Sequence, residues 1–102
     1  MNYYKRYWEE STGEILTDSW GKSNYYFETD SKMNVLRQIQ IFENSFVLKY
    51  SEEFLEDEYG ALANQELDKE EFADFKITKN EFELIWNNSN HFRKKKKWWN
   101  LR

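Results

Sequence analysis

Val35-Leu36-Arg37-Gln38-Ile39-Gln40-Ile41-Phe42 is the stretch on which the fold turns. Val35, Ile39 and Ile41 fall on one face with Arg37, and Gln38 and Gln40 fall on the other, the period-two pattern of a β-strand. Glu43-Asn44-Ser45 follows as a short turn, and residues 46–50 return with Phe46, Leu48 and Tyr50 aligned, so a hairpin is expected. Upstream, residues 24–30 alternate Tyr25, Phe27 and Thr29 against Tyr26, Glu28 and Asp30. Residues 3–8 alternate Tyr4, Arg6 and Trp8 against Tyr3, Lys5 and Tyr7. Glu28 and Arg37 read as a cross-strand ion pair. Residues 15–20, beyond a polar stretch around Gly13, carry no periodicity that assigns them a state.

The second half changes period. Asp68-Lys69-Glu70-Glu71 fits the start of a short helix reaching Phe75, and Thr78-Lys79-Asn80-Glu81 is a capping box. Phe82, Ile85 and Trp86 then recur at helical spacing, which predicts a helix laying these three on the sheet. Ile85, Phe92 and Trp99 stand seven apart, which extends the expected helix from Lys79 to about Asn100. The fold class is therefore α+β, an antiparallel sheet of three to five strands with helices on one face.

Composition limits the function. The chain has 102 residues, no Cys, no Pro and one His, and 20% of its residues are aromatic. Rings that bury about 150–250 Å² each must build the core, and an aromatic content this high belongs to a folded chain. Without Cys there is no disulfide framework, thiolate nucleophile or Cys-based zinc site. No apolar run has the length of a membrane span or a signal peptide, so a cytoplasmic location is expected. His91 stands beside Arg93 and four lysines, a poor setting for a catalytic base, and it reads as a solvated or tail-packing residue. With 19 acids some pair of carboxylates always lies at a catalytic separation, and Gly13, Gly21 and Gly60 stand alone rather than in a phosphate loop. No catalytic residue, metal site or cofactor is expected, and the chain reads as a binding protein rather than an enzyme.

Charge is split by position. Residues 1–90, read as a single acidic domain, set nine Lys/Arg against all 19 acids for a formal −10. Residues 91–102, read as a basic aromatic extension in helical form, carry six Lys/Arg and no acid for +6. Two binding surfaces follow. One is the acidic stretch Glu52, Glu53, Glu56, Asp57 and Glu58, with Trp20 and Tyr59 as candidate exposed anchors. The other is the tail, Lys94, Lys95, Lys96, Lys97, Trp98 and Trp99, whose lysines and rings suit single-stranded nucleic acid, an anionic surface or acidic protein.

Four segments carry a resemblance: the aromatic strand ending at Trp8, Tyr26-Phe27-Glu28-Thr29-Asp30, Arg37-Gln38-Ile39-Gln40-Ile41-Phe42, and the Ile-x-x-x-Glu-Phe-Glu-x-x-Trp pattern of residues 77–86. In order and spacing they resemble a family of small uncharacterised bacterial proteins, over about residues 3–87. The family favours an Asp-Gly turn where this chain has Glu43-Asn44-Ser45, and it ends before residues 91–102. The resemblance implies no catalytic residues, and by association it points to immunity-type proteins encoded beside toxins. The leading expectation is a small acidic inhibitor, of immunity or anti-defence type, that neutralises a basic effector such as a nuclease toxin or a host defence protein. The alternatives are a nucleic-acid-binding accessory protein acting through the Lys/Trp tail, and a structural homo-oligomer, with a homodimer through the C-terminal helix as one form.

Overall fold

In a computed structural model, which describes residues 1–94, the alternation at residues 35–42 becomes β3 (Val35–Phe42) of a five-stranded antiparallel sheet. The other strands of that sheet are β1 (Asn2–Trp8), β2 (Ser23–Thr29), β4 (Val47–Ser51) and the two-residue β7 (Lys76–Ile77), in the order β4-β3-β2-β1-β7. A separate hairpin pairs β5 (Glu56–Asp57) with β6 (Gly60–Ala61), and two helices follow, α1 (Lys69–Phe72) and α2 (Lys79–Asn88). The β3–β4 turn forms as expected. Ser45 takes φ 74°, its amide donates to the Phe42 carbonyl, and Asn44 Oδ1 accepts from the Phe46 amide. The segment without periodicity is a turn ending in a 3₁₀ helix, Asp18–Trp20. Gly21 closes it at φ 88°, where a Cβ would lie 2.6 Å from the Glu43 carboxylate that accepts the Lys22 amide, so only glycine fits.

Two expectations about the sheet are corrected. Val35 does not share a face with Arg37. The β2–β3 register shifts between Glu28 and Thr29, so Glu28 faces Arg37 while Thr29 faces Val35. The extra residue of this bulge turns Val35 onto the opposite face, where it packs with Tyr4, Phe27, Met33 and Phe72. The helices also do not share one face. Phe72 of α1 belongs to that same cluster, whereas Phe82 of α2 packs on Tyr3, Tyr26 and Ile39 on the other side. β7 pairs with Tyr3 and Tyr4 at the sheet edge and carries the chain from one face round to the other.

Both helix starts follow the sequence. Asp68 accepts from the Glu70 and Glu71 amides, and Thr78 Oγ1 from the Glu81 amide. The Thr78 hydroxyl in turn donates to the Glu81 carboxylate. Phe82, Ile85 and Trp86 face the sheet as expected, with Phe82 fully buried.

The end of α2 differs from expectation. The helix stops at Asn88, and Ser89 is extended at φ −115°, ψ 150°. Its last carbonyls are taken by side chains: Asn88 Nδ2 donates to Leu84 O, Ser89 Oγ to Ile85 O, and Lys49 Nζ to Trp86 O at 2.6 Å and Ser89 O at 2.9 Å. A cation at a helix C-terminus is favourable, and these bonds replace the ones a further turn would make. Residues 89–94 are therefore not helical, and Ile85 and Phe92 do not form one helical stripe. Phe92 instead donates its amide to Val47 O at 2.7 Å on the outer edge of β4. It joins a core cluster around Trp20, Phe42, Leu48 and Tyr50, so packed structure continues past residue 90.

Candidate functional site

The acidic stretch is neither a helix nor a featureless loop. Ser51 and Phe54 form a bridge that turns the chain out of β4, and β5–β6 then fold back as a small hairpin. One of its five acids faces inward. Asp57 Oδ1 accepts from the Tyr50 hydroxyl at 2.7 Å and the Tyr59 amide at 3.0 Å, and Oδ2 lies 2.6 Å from His91 Nε2. Burial pushes the Asp57 carboxyl up, but these hydrogen bonds outweigh it and hold the group below its ordinary value. Tyr50 is driven the other way, its phenol pushed far up by burial and by the Asp57 carboxylate. Asp57 is thus the peg that fixes the hairpin to the sheet.

His91 completes the peg. Its Nδ1 accepts the Lys49 amide at 2.9 Å, so the ring carries its proton on Nε2 and donates it to Asp57. Both nitrogens are engaged, which leaves neither free to act as a base. The histidine packs the tail segment edge-on against Tyr50 and Phe54.

Glu52, Glu53, Glu56 and Glu58 are exposed, whereas Trp20 is not. Trp20 is 7% exposed, packed edge-on to Phe42 and Phe46, stacked on Tyr59 and in contact with Phe92. It belongs to the core, which corrects its assignment as a surface anchor. A lone Trp before a glycine has no periodic neighbours to mark it as buried. Tyr59 is half-buried, with one face held by Trp20, and it lines each of three concavities around the hairpin.

The structure adds residues the sequence did not single out. Ile15, 98% exposed, and Leu16 approach the hairpin, and with Glu14, Glu56 and Glu58 they line a groove of about 430 Å³. Phe54 and Leu55 are exposed on the acidic stretch itself. Nothing in the spacing of residues 15–20 assigned them to this site; the only signal was an apolar Ile-Leu pair in a turn-rich segment.

Of the tail, Lys94 is exposed, and with Arg93 it lines a concavity shared with Phe54, Asp57, Glu58 and Tyr59. The first tail cations thus emerge beside the acids. Lys95, Lys96, Lys97, Trp98 and Trp99 lie outside the described residues.

A second charged cluster lies on the α2 side of the sheet. Arg37 donates to both oxygens of Glu28 at 2.8 and 2.7 Å and to Glu83 of α2, with its guanidinium over the rings of Phe82 and Trp86. The expected Glu28–Arg37 pair is present, and every charge in it is used internally. Among the described residues no group of three or more His, Asp or Glu is placed to hold a metal ion. No helix among them is long and apolar enough to cross a membrane. No family model, curated protein or solved structure matches the chain.

Proposed function

We propose that this chain is a binding protein that seats a basic protein partner on the acidic hairpin and its flanking turn, an inhibitor of immunity or anti-defence type whose target is a basic effector such as a nuclease. The observation that carries the reading is the pairing of charge with exposed apolar surface. Ile15 and Leu16 share a groove with Glu14, Glu56 and Glu58, and Phe54 and Leu55 are exposed within the acidic stretch itself, between Glu53 and Glu56. Apolar groups set among charged ones are the anatomy of a protein interface, and here they lie on both sides of the acidic hairpin. The carboxylates steer a cationic surface inward and the apolar groups hold it. A nuclease fits this description because it must be basic to bind phosphate.

The reading separates charge from grip. Reversing Glu52, Glu53, Glu56 and Glu58 to Lys should slow association by about 10-fold or more at low salt. Replacing Ile15 and Leu16 by Ser should leave association nearly unchanged and speed dissociation. Capture from the native host with wild-type and charge-reversed chains, followed by rate measurements on the captured protein, tests both. Recovery of the same proteins by both chains overturns the reading.

A further inference from the structure

A further concavity lies on the face of the sheet opposite α2 and reaches the hairpin at Tyr59, Gly60 and Ala61. It has a volume of about 560 Å³, inside the range of about 300–1,000 Å³ typical of small-molecule sites. Three features of its walls are specific.

Its floor is flat. Tyr25 and Phe27 project from the same face of β2 as a near-parallel pair, 7° between planes and 5.3 Å between centroids, and both line the cavity. Phe72 of α1 stands edge-on to Phe27 at 76°, making an end wall, and Trp8 at the end of β1 makes a second. An aromatic solute finds several ring partners there, among which offset and edge-to-face contacts are favourable.

Its floor also carries polar groups in an otherwise apolar setting. Gln38 and Gln40 are 5% and 6% exposed on the buried face of a strand. Gln38 is fully engaged: its Nε2 donates to Ala61 O and its Oε1 accepts the Ala63 amide. Gln40 donates its Nε2 to Ser23. Beside it sits Tyr25, whose phenol is pushed up by burial with the Gln40 amide acting in the opposite sense. Gln40 and the Tyr25 phenol thus make a polar spot in the lining, beside which a polar group of a solute can sit.

Its rim selects charge. Glu10 and Glu14 are exposed, line the cavity and have no ion-pair partner among the described residues. Among the described residues the one cation in the lining, Arg6, is held 2.8 Å from Glu71, with its guanidinium over the rings of Phe72 and Phe75. The rim is net acidic, so an anion such as a nucleotide phosphate is repelled, while a neutral or cationic group is accepted.

From these features we infer that the cavity is a binding site for a small, flat aromatic compound that is uncharged or cationic and lacks phosphate. The ring packs among Trp8, Tyr25, Phe27 and Phe72, a polar ring atom lies beside Gln40, and any positive substituent points to Glu10 and Glu14.

A single ring system in three charge states tests this. The full chain, isotope-labelled, is titrated with tryptamine, indole and indole-3-acetate while amide and aromatic resonances are followed. Saturable shifts centred on Tyr25, Phe27 and Gln40 are expected, with tryptamine tightest and indole-3-acetate about ten-fold weaker or worse. Trp8→Ala, at a wall residue that is 44% exposed, should weaken tryptamine about five-fold. Glu10→Gln with Glu14→Gln should abolish the preference for tryptamine over indole without weakening indole. The inference is overturned if no probe saturates, if the shifts centre on Phe54 and His91, or if indole-3-acetate binds as tightly as tryptamine. It is equally overturned if tryptamine binds only after residues 95–102 are deleted, because the chain's own tail is then the occupant. None of these outcomes depends on the protein partner of the acidic hairpin.

Discussion

Arg37 shows how a strand that reads as half polar becomes buried on both faces. Its guanidinium lies between the carboxylates of Glu28 and Glu83 and over two aromatic rings, and the Glu28 side chain is only 9% exposed. Removing the cation alone leaves a buried carboxylate without its partner, so Arg37→Ala should destabilise the fold by about 3–5 kcal/mol. Glu28→Gln combined with Arg37→Met should recover most of that loss in urea titrations. The same pair sets an acid limit. Arg37, and next the Tyr3 hydroxyl, hold the Glu28 carboxyl below its ordinary value. As pH falls from about that ordinary value, the unfolded chain takes up the proton first. The contribution of Glu28 is full above its unfolded pKa and is lost as pH falls through the folded one. Melting curves of Glu28→Gln should therefore depend less steeply on pH below 4.5, the ordinary value. At the alkaline end the sign reverses: burial raises the phenols of Tyr3, Tyr25 and Tyr50. An unfolded chain releases those protons near pH 10.0 while the folded one holds them. Spectrophotometric titration should show some tyrosines ionising only as the protein unfolds. The Glu28–Arg37 pair could be read from alternation alone. The inward turn of Asp57 could not, because its partners Tyr50 and His91 lie 7 and 34 residues away.

At the scale of elements, the strands and helix starts were legible because their signals are local: alternating aromatics, a turn between strands, and a capping residue three positions before a glutamate. Thr78→Ala should accordingly cost about 1 kcal/mol. The bulge that redirects Val35 was not legible, since one extra strand residue leaves composition and alternation almost unchanged. The hairpin at residues 56–61 was hidden for a related reason: two strands of two residues each are too short to show a period. The end of α2 was misread because a seven-residue spacing of apolar groups suggested more helix. What stops it is a lysine from β4, forty residues from Ser89. If Phe92 belongs to the body, Phe92→Ala should destabilise the protein by about 2 kcal/mol, since the ring touches Trp20, Phe46 and Tyr59. A chain ending at Ser89 should melt lower than one ending at Lys94. Equal melting temperatures would mean that residues 90–94 contribute nothing to the fold.

For the whole molecule, the division of charge takes on a spatial meaning. Glu56, Asp57 and Glu58 lie on an anchored hairpin beside Ile15 and Leu16, Glu52 and Glu53 lie on the turn that leads into it, and Arg93 and Lys94 leave the body next to it. The acidic stretch was legible as a candidate surface because charge density is a sequence property. Its apolar groups and the neighbouring cavity were not, because β1, β2, β3, α1 and two loops contribute to them from distant positions. The central claim is that this surface recruits a basic protein through its exposed carboxylates. The most direct test measures the association rate of the captured partner with wild-type chain and with the Glu52, Glu53, Glu56 and Glu58 charge reversal, at low and high salt. A basic partner is expected, with a wild-type association rate that falls steeply as salt rises and a slow, nearly salt-independent rate for the reversed chain. A partner that is not basic, or two chains with the same rate at low salt, would contradict it.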